Sequence, residues 1–199
     1  MRRALIVLLS IASLQAVDKK APFGVGPAES YPGHVTEDKI TIAAKPYNTA
    51  ELAATAFGKV KPHERGITPV LVVIHNDTGK ALNLDLKAEF VTANGQHLEA
   101  MTPFDVVRYQ GIQRRPGTRS SSVPRIPGIN SSAPKGPLNT PEIEGRAFSV
   151  KLLPPGESAN GFFYFEATEV KSALIYLTGL KDAASGKAYF YFEVPLDAR

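Results

Sequence analysis

The sequence predicts an all-β protein, a sandwich or barrel of about eight strands with short helices where the chain crosses between strands. Three observations support this prediction. Val70–Ile74 is an unbroken apolar run, as expected for a strand that is buried on both faces. Leu82–Phe90 alternates apolar and polar residues with the period of a strand that has one wet face. Gly161–Ala167 and Lys187–Val194 are short runs rich in aromatic residues and bounded by turn residues.

The first two runs define a central stretch, Thr68–Phe90. Between them lies Asn76–Lys80, whose Asn, Asp and Gly residues tolerate turn geometry. The stretch is therefore predicted to be a β-hairpin at the centre of the fold.

The N-terminus has the pattern of a secretory signal peptide. Arg2 and Arg3 precede the apolar run Ala4–Ala12, and Ala16 suits cleavage by a signal peptidase. The run is too short to span a bilayer, which takes about 20 apolar residues. The chain has no Cys, so neither a disulfide nor a lipid-bearing Cys is available. We expect residues 1–16 to be removed and the protein to be exported, periplasmic or extracellular, with no integral membrane segment afterwards.

The next segment, residues 17–38, is rich in Gly and Pro and is predicted to be an extended lead-in with little structure of its own. Lys39–Lys45 reads as the first strand. Thr49–Phe57 is predicted to be a short helix that Thr49 caps and Gly58 ends.

After the central stretch, Asn94-Gly95 is a strong turn signal. It predicts a type I′ hairpin that folds residues 90–93 onto residues 96–101. Thr102-Pro103 is typical of a helix start, so residues 104–110 are predicted to be a short helix that ends at Gly111.

Residues 112–140 differ in kind from the rest of the chain. The segment is rich in Pro and Ser, shows no strand or helix period and contains no acidic residue. Its basic residues are Arg114, Arg115, Arg119, Arg125 and Lys135. Such long irregular segments inside a domain are uncommon and are usually functional or disordered, so it is predicted to be a flexible inserted loop.

Order is predicted to resume at Pro141, and Thr140 can cap a short helix that runs through Ala147. Four strands are then expected; they are Phe148–Leu153, Gly161–Ala167, Ala173–Leu180 and Lys187–Val194. The parts before and after the loop each have too few strands to stand alone. Residues 39–199 are therefore predicted to form a single domain.

Two stretches, Gly66–Gly79 and Leu152–Phe165, resemble the immunoglobulin-like domains of bacterial exported proteins of unassigned function. In those domains, a strand ending in Asn precedes a hairpin, and a Pro-Gly turn leads into an aromatic strand. The resemblance implies an immunoglobulin-like antiparallel β-sandwich. It implies no catalytic residue, because its motifs are turn and core patterns.

Signatures of catalysis are missing from the sequence. The four histidines, His34, His63, His75 and His97, do not pair at metal-ligand spacing, and neither a nucleophile elbow nor a phosphate-binding loop is present. No cofactor or metal is predicted, and the protein is not predicted to be an enzyme.

The charge balance argues against a nucleic-acid partner. Without its first 16 residues the chain has 21 Lys and Arg against 19 Asp and Glu, so it is only weakly basic. The basic loop lacks the interleaved aromatic residues that stack on bases. We expect instead a protein or cell-envelope partner, bound by the five basic loop residues and by Tyr164, Tyr189 and Tyr191, whose polar tips suit a partly wet site.

Three functions remain open at this point. The first is a non-catalytic binding or structural module of the cell envelope or secreted fraction. The alternative is a hydrolase or small-ligand-binding barrel with a site beneath loop 112–140 that involves His75 or Ser158. The third is a subunit of a surface assembly that self-associates through an edge strand.

Overall fold

The computed structural model describes residues 23–109 and 136–197, which form two antiparallel sheets packed face to face. Sheet A contains, in spatial order, β1 (His34–Glu37), β2 (Ile40–Pro46), β3 (Thr68–Asn76) and β7 (Ser158–Phe165). Sheet B contains, in spatial order, β5 (His97–Glu99), β4 (Leu82–Val91), β8 (Leu174–Asp182) and β9 (Phe192–Pro195), and β6 (Leu152–Leu153) also pairs with β4. The predicted all-β sandwich is therefore confirmed, with nine strands in the described residues.

Three short helices cover the face of sheet A that points away from sheet B. They are α1 (Ala50–Phe57), α2 (Pro103–Arg108) and α3 (Pro141–Gly145), and two 3₁₀ turns at Ala28–Ser30 and Pro62–Arg65 accompany them. Phe57, Val106 and Ile143 pack from the helices onto this face. Alternate residues of β3 point to the two sides, so that Val72 faces sheet B while Leu71 faces the helices. The predicted burial of this strand on both faces is confirmed.

The central stretch is not a hairpin. β3 pairs with β2 and β7 in sheet A, whereas β4 pairs with strands of sheet B. The turn at residues 77–81 therefore carries the chain from one sheet to the other. The two faces of β3 are buried by sheet B and by the helices, and its two edges are occupied by β2 and β7, so β4 pairs elsewhere. The turn residues alone fit either connection.

The hairpin at Asn94-Gly95 is confirmed, since β5 pairs with β4, but its turn type is not I′. Of the two residues only Gly95 has a positive φ, +79°. The Gly95 amide donates to Thr92 O, and the Thr92 amide donates to Gln96 O. This is the arrangement of a three-residue loop that ends in a left-handed glycine.

The helices lie where the sequence predicts them. The hydroxyl of Thr49 accepts a hydrogen bond from the Leu52 amide, and the hydroxyl of Thr102 accepts one from the Asp105 amide. Thr140 precedes α3 without such a backbone bond and instead donates to the Glu142 carboxylate.

Two predicted strands are shorter than expected. Of Phe148–Leu153 only β6 is a strand, because residues 148–151 cross from the edge of β7 to β4 and cannot form a regular ladder with either sheet. Of Lys187–Val194 the first half forms only a bridge between Ala188 and Lys181 and a bond from the Tyr189 amide to Leu180 O.

The lead-in is more ordered than predicted. Its end, His34–Glu37, is strand β1, and upstream of it Ala28 is buried and the Phe23 ring lies 5.7 Å from that of Phe162. A four-residue edge strand with mostly exposed side chains has no hydrophobic alternation, so its sequence does not reveal it. Residues 1–22, including the predicted signal peptide, lie outside the described residues.

A glycine in β8 permits the packing of sheet B. Leu177 and Leu180 both face the core, although they are three positions apart, because the register to β4 shifts between Leu84 and Lys87. Gly179, opposite this shift, has a φ of +93°. A Cβ at Gly179 would lie 1.9 Å from the carbonyl oxygen of Asp85.

We expect Gly179→Ala to lower the free energy of unfolding by about 3 kcal/mol or more, since it adds a backbone clash to left-handed strain. Gly186→Ala is the matched control, because φ there is +71° and a Cβ would meet nothing within 4 Å. The control should lose only about 1 kcal/mol in urea unfolding. Equal losses in the two variants would contradict the close approach of β4 and β8.

Candidate functional site

The residues predicted to bind a partner occupy different surroundings. Arg114, Arg115, Arg119, Arg125 and Lys135 lie outside the described residues. Tyr164 does not fit a partly wet site. Its side chain is buried between sheet A and the helices, its hydroxyl donates to Ile143 O at 2.7 Å, and burial raises its pKa. Tyr189 is half-buried and packs against the core between the sheets.

Of the three tyrosines predicted to bind a partner, Tyr191 is the one that the structure leaves exposed. It is 49% exposed, and its ring stacks on Tyr176 of β8 with the centroids 5.2 Å apart. The neighbouring Phe190 is 92% exposed. The term aromatic face is used below for the stacked pair Tyr176 and Tyr191 together with the exposed Phe190, which precedes Tyr191 in the chain.

A row of charged residues crosses sheet B beside the aromatic face. Glu99 lies opposite Glu89, Glu89 lies opposite Tyr176, and Tyr176 lies opposite Glu193. His97 Nδ1 donates to the Glu89 carboxylate at 2.6 Å, and the His97 ring meets the Tyr176 ring edge-on with the centroids 6.0 Å apart. Like charges directly opposite each other on neighbouring strands are destabilising, so the Glu89–Glu99 pair does not serve sheet stability.

The sequence only partly reveals this surface. Aromatic residues on both faces of Lys187–Val194 suggested a surface role for Tyr191. Tyr176 was missed because its strand, Ala173–Leu180, reads as largely apolar, and only the register of the two strands brings it under Tyr191.

A second constellation lies at one end of sheet A. His75 Nδ1 is 2.9 Å from the Ser158 hydroxyl, and His75 Nε2 is 3.2 Å from an Asp77 carboxylate oxygen. His75 and Ser158 are cross-strand partners in β3 and β7. A hydroxyl, an imidazole and a carboxylate in this order can transfer a proton away from the serine. Asp77 is 64% exposed, so water competes for its hold on the imidazole.

The described residues that flank the inserted segment, up to Tyr109 and from Gly136, lie close together. The Gly136 amide donates to Val107 O at 3.0 Å, and the Tyr109 hydroxyl donates to Glu166 at 2.9 Å. Burial and this hydrogen bond raise the pKa of Tyr109 to about 12. The end of the predicted loop is ordered, because Leu138 is buried against the helices.

This junction is remote from His75. Glu166 follows the end of β7 that pairs with Thr68, whereas His75 lies seven residues further along β3, about 23 Å away at strand spacing. The two features predicted for one site, His75 and the base of the loop, therefore lie toward opposite ends of sheet A.

The charges are divided between the described domain and the inserted segment. The described residues contain 13 Lys and Arg against 18 Asp and Glu, whereas residues 110–135 contain five basic residues and no acid. In residues 23–109 and 136–197, no group of three or more His, Asp or Glu side chains is placed to hold a metal ion. None of the described helices is long and apolar enough to cross a membrane.

No protein-family model matches this sequence, and comparison with curated proteins gave no significant match. The function is therefore argued from the geometry of the two constellations.

Proposed function

We propose that this protein is a non-catalytic, exported binding module whose contact surface is the aromatic face of sheet B. The observation that supports this most is the stacked pair Tyr176 and Tyr191 on the solvent side of sheet B, where Tyr191 is 49% exposed, with Phe190, which precedes it in the chain, 92% exposed. Leaving such rings in water forgoes the free energy that their burial provides. Aromatic residues are enriched at protein interfaces, where they act as rigid anchors with few rotatable bonds.

The acidic row beside the aromatic face favours a basic partner. Glu89, Glu99 and Glu193 lie across the same sheet as the rings, and the described domain has an excess of five acidic residues. Charge complementarity speeds encounter and excludes wrong partners, whereas the aromatic anchors supply most of the affinity. We propose a basic protein or cell-envelope component as the partner.

Export is proposed from residues 1–16, whose basic start, apolar run and terminal Ala16 have the pattern of a cleaved signal peptide. The partner would then be met in the periplasm or outside the cell.

The fold is proposed to be immunoglobulin-like. The order β2–β3–β7 in one sheet corresponds to strands A, B and E, and the order β4–β8–β9 in the other corresponds to C, F and G. β5 lies beside β4, as strand C′ lies beside C in the variable type. β1 and the pairing of β6 with β4 are additions to this plan.

Replacing both Phe190 and Tyr191 with Ser should reduce capture of the partner at least tenfold, because hot-spot aromatic residues contribute 2 kcal/mol or more each. The measurement is crosslinking capture from the native envelope, followed by titration of the captured component. Leu152→Ser is the matched control, since Leu152 is an exposed apolar residue, 53% exposed, away from the aromatic face. All variants should keep the parent unfolding midpoint. Equal capture by the double variant and the parent would contradict the proposal.

The Ser158–His75–Asp77 constellation favours a second candidate function, a serine hydrolase. Its support is the two hydrogen-bond distances, 2.9 and 3.2 Å. Two observations argue against it. Asp77 is exposed to solvent. Ser158 meets Nδ1 of His75 and Asp77 meets Nε2, whereas in serine hydrolases the serine meets Nε2 and the carboxylate meets Nδ1.

A fluorophosphonate probe, which labels activated serines covalently, decides between the two functions. The binding-module proposal expects the parent protein to be labelled no faster than Ser158→Ala. The hydrolase requires labelling of the parent that both Ser158→Ala and His75→Ala abolish. Ser172→Ala is the control for reaction at an exposed serine outside the constellation.

A further inference from the structure

At one side of the sandwich, two segments of the chain cross between β4 and β7. An opening remains between these two segments. On one side of it, the Ala100 amide donates to Ala88 O at 3.2 Å and the Met101 amide donates to Tyr164 O at 2.7 Å. On the other side, residues 148–151 cross, with bonds from the Phe148 amide to Phe162 O and from the Leu84 amide to Lys151 O. Within the part of the chain that the structure describes, residues 85–87 of β4 pair with neither β5 nor β6, so the edge of β4 is open at this point.

A cavity of about 480 Å³ lies behind the opening. Its lining contains both polar and apolar groups and comes from strands of both sheets. The rings of Phe148 and Phe163 stack there, with centroids 5.4 Å apart and planes inclined by 15°, and both remain half-buried. Leu86, Ala88 and Ala100 are among the other apolar residues of the lining. Protein interiors are normally filled to crystal-like density, and sites for small molecules have volumes of about 300–1,000 Å³.

The mouth of the cavity is acidic. Glu89 and Glu99, which lie directly opposite each other, line it together with a single ammonium group, that of Lys87. His97 engages one oxygen of Glu89, which leaves the other oxygen and the exposed Glu99 carboxylate available. The hydroxyl of Thr102 also lines the mouth, and it is held by Asp105, a third carboxylate nearby.

This arrangement joins an aromatic interior to a mouth of opposed carboxylates. An apolar group inside would contact two stacked rings, and a cation at the mouth would relieve the repulsion between Glu89 and Glu99. A carboxylate ligand would instead add a third negative charge to the pair.

We infer that this cavity is a binding site for a small amphipathic amine, whose flat apolar group inserts against Phe148 and Phe163 and whose ammonium group binds Glu89 and Glu99. The interior of the site differs from the aromatic face, because Phe148 and Phe163 pack against the core between the sheets whereas Tyr191 is exposed, but the two share Glu89 and Glu99. Ligand binding to the cavity is measured separately from partner capture at the aromatic face, so that either proposal can fail alone.

Two probes with one apolar group and opposite charges test the inference. 4-Phenylbutylamine and 4-phenylbutyrate are titrated into the full-length, ¹⁵N-labelled chain at pH 7 and followed by amide NMR. The amine should saturate at a Kd of about 1 mM, as expected for a ligand of this size, and should shift the amides of Ala88, Ala100 and Phe163. The carboxylate should bind at least ~5-fold more weakly, a difference of about 1 kcal/mol.

Variants separate the two parts of the site. Glu99→Gln should weaken the amine several-fold and remove its advantage over the carboxylate, whereas Glu157→Gln, at an exposed acid outside the cavity, should change neither. Ala100→Phe should weaken both probes by filling the cavity, and unfolding midpoints verify that each variant is folded. The inference is overturned if the cavity amides show no saturable shift, if the carboxylate binds as tightly as the amine, or if the two glutamate variants behave alike.

Discussion

The buried side chain of Asn76 holds together the point at which the chain changes sheets. Its amide nitrogen lies 2.7–3.1 Å from the carbonyl oxygens of Lys80, Leu153 and Pro154, and its oxygen accepts bonds from the amide and hydroxyl of Thr78. Its backbone is bonded as well, because its amide donates to Glu157 O and its carbonyl accepts from Gly156. One side chain without solvent exposure thus joins the end of β3, the crossover and the turn before β7. A polar group left without a hydrogen-bond partner here would lower the free energy of unfolding, because water cannot reach it.

The remaining architecture depends on this crossover. Because the chain leaves sheet A at Asn76 and continues as β4 of sheet B, β3 takes β7 as its second neighbour in sheet A, and its two faces pack against sheet B and the helices. Nearby, the Asp182 carboxylate accepts bonds from the amides of Ser185 and Ala184 and from the Lys80 ammonium group, which together hold its pKa below the usual range. The crossover is thereby tied to the turn that precedes β9. Sheet B keeps one face on the core and turns the other, with its rings and glutamates, to solvent.

Local features could be predicted from the sequence, whereas features set by pairing could not. The helix at Thr49 and the hairpin at Gly95 follow from capping and turn chemistry within a few residues. The pairing of β3 depends on β7, which lies more than 80 residues away, so turn residues at 76–80 suggested a hairpin. The same limit applies to the candidate sites. The exposure of Tyr191 was suggested by its strand pattern, but the partnership of His75 with Asp77 and Ser158, the stacking on Tyr176 and the cavity between β4 and β7 arise from register alone.

The most direct test of this account is the free energy of unfolding of Asn76→Ala, measured by urea denaturation beside Asn83→Ala at an exposed position of β4. The account predicts a loss of about 3 kcal/mol or more for Asn76→Ala, because the substitution leaves carbonyl groups of the crossover and of the 153–154 turn without their donor. Asn83→Ala should change stability by about 0.5 kcal/mol or less. A loss at Asn76 as small as that of the control would show that the crossover is held in another way and would contradict the account.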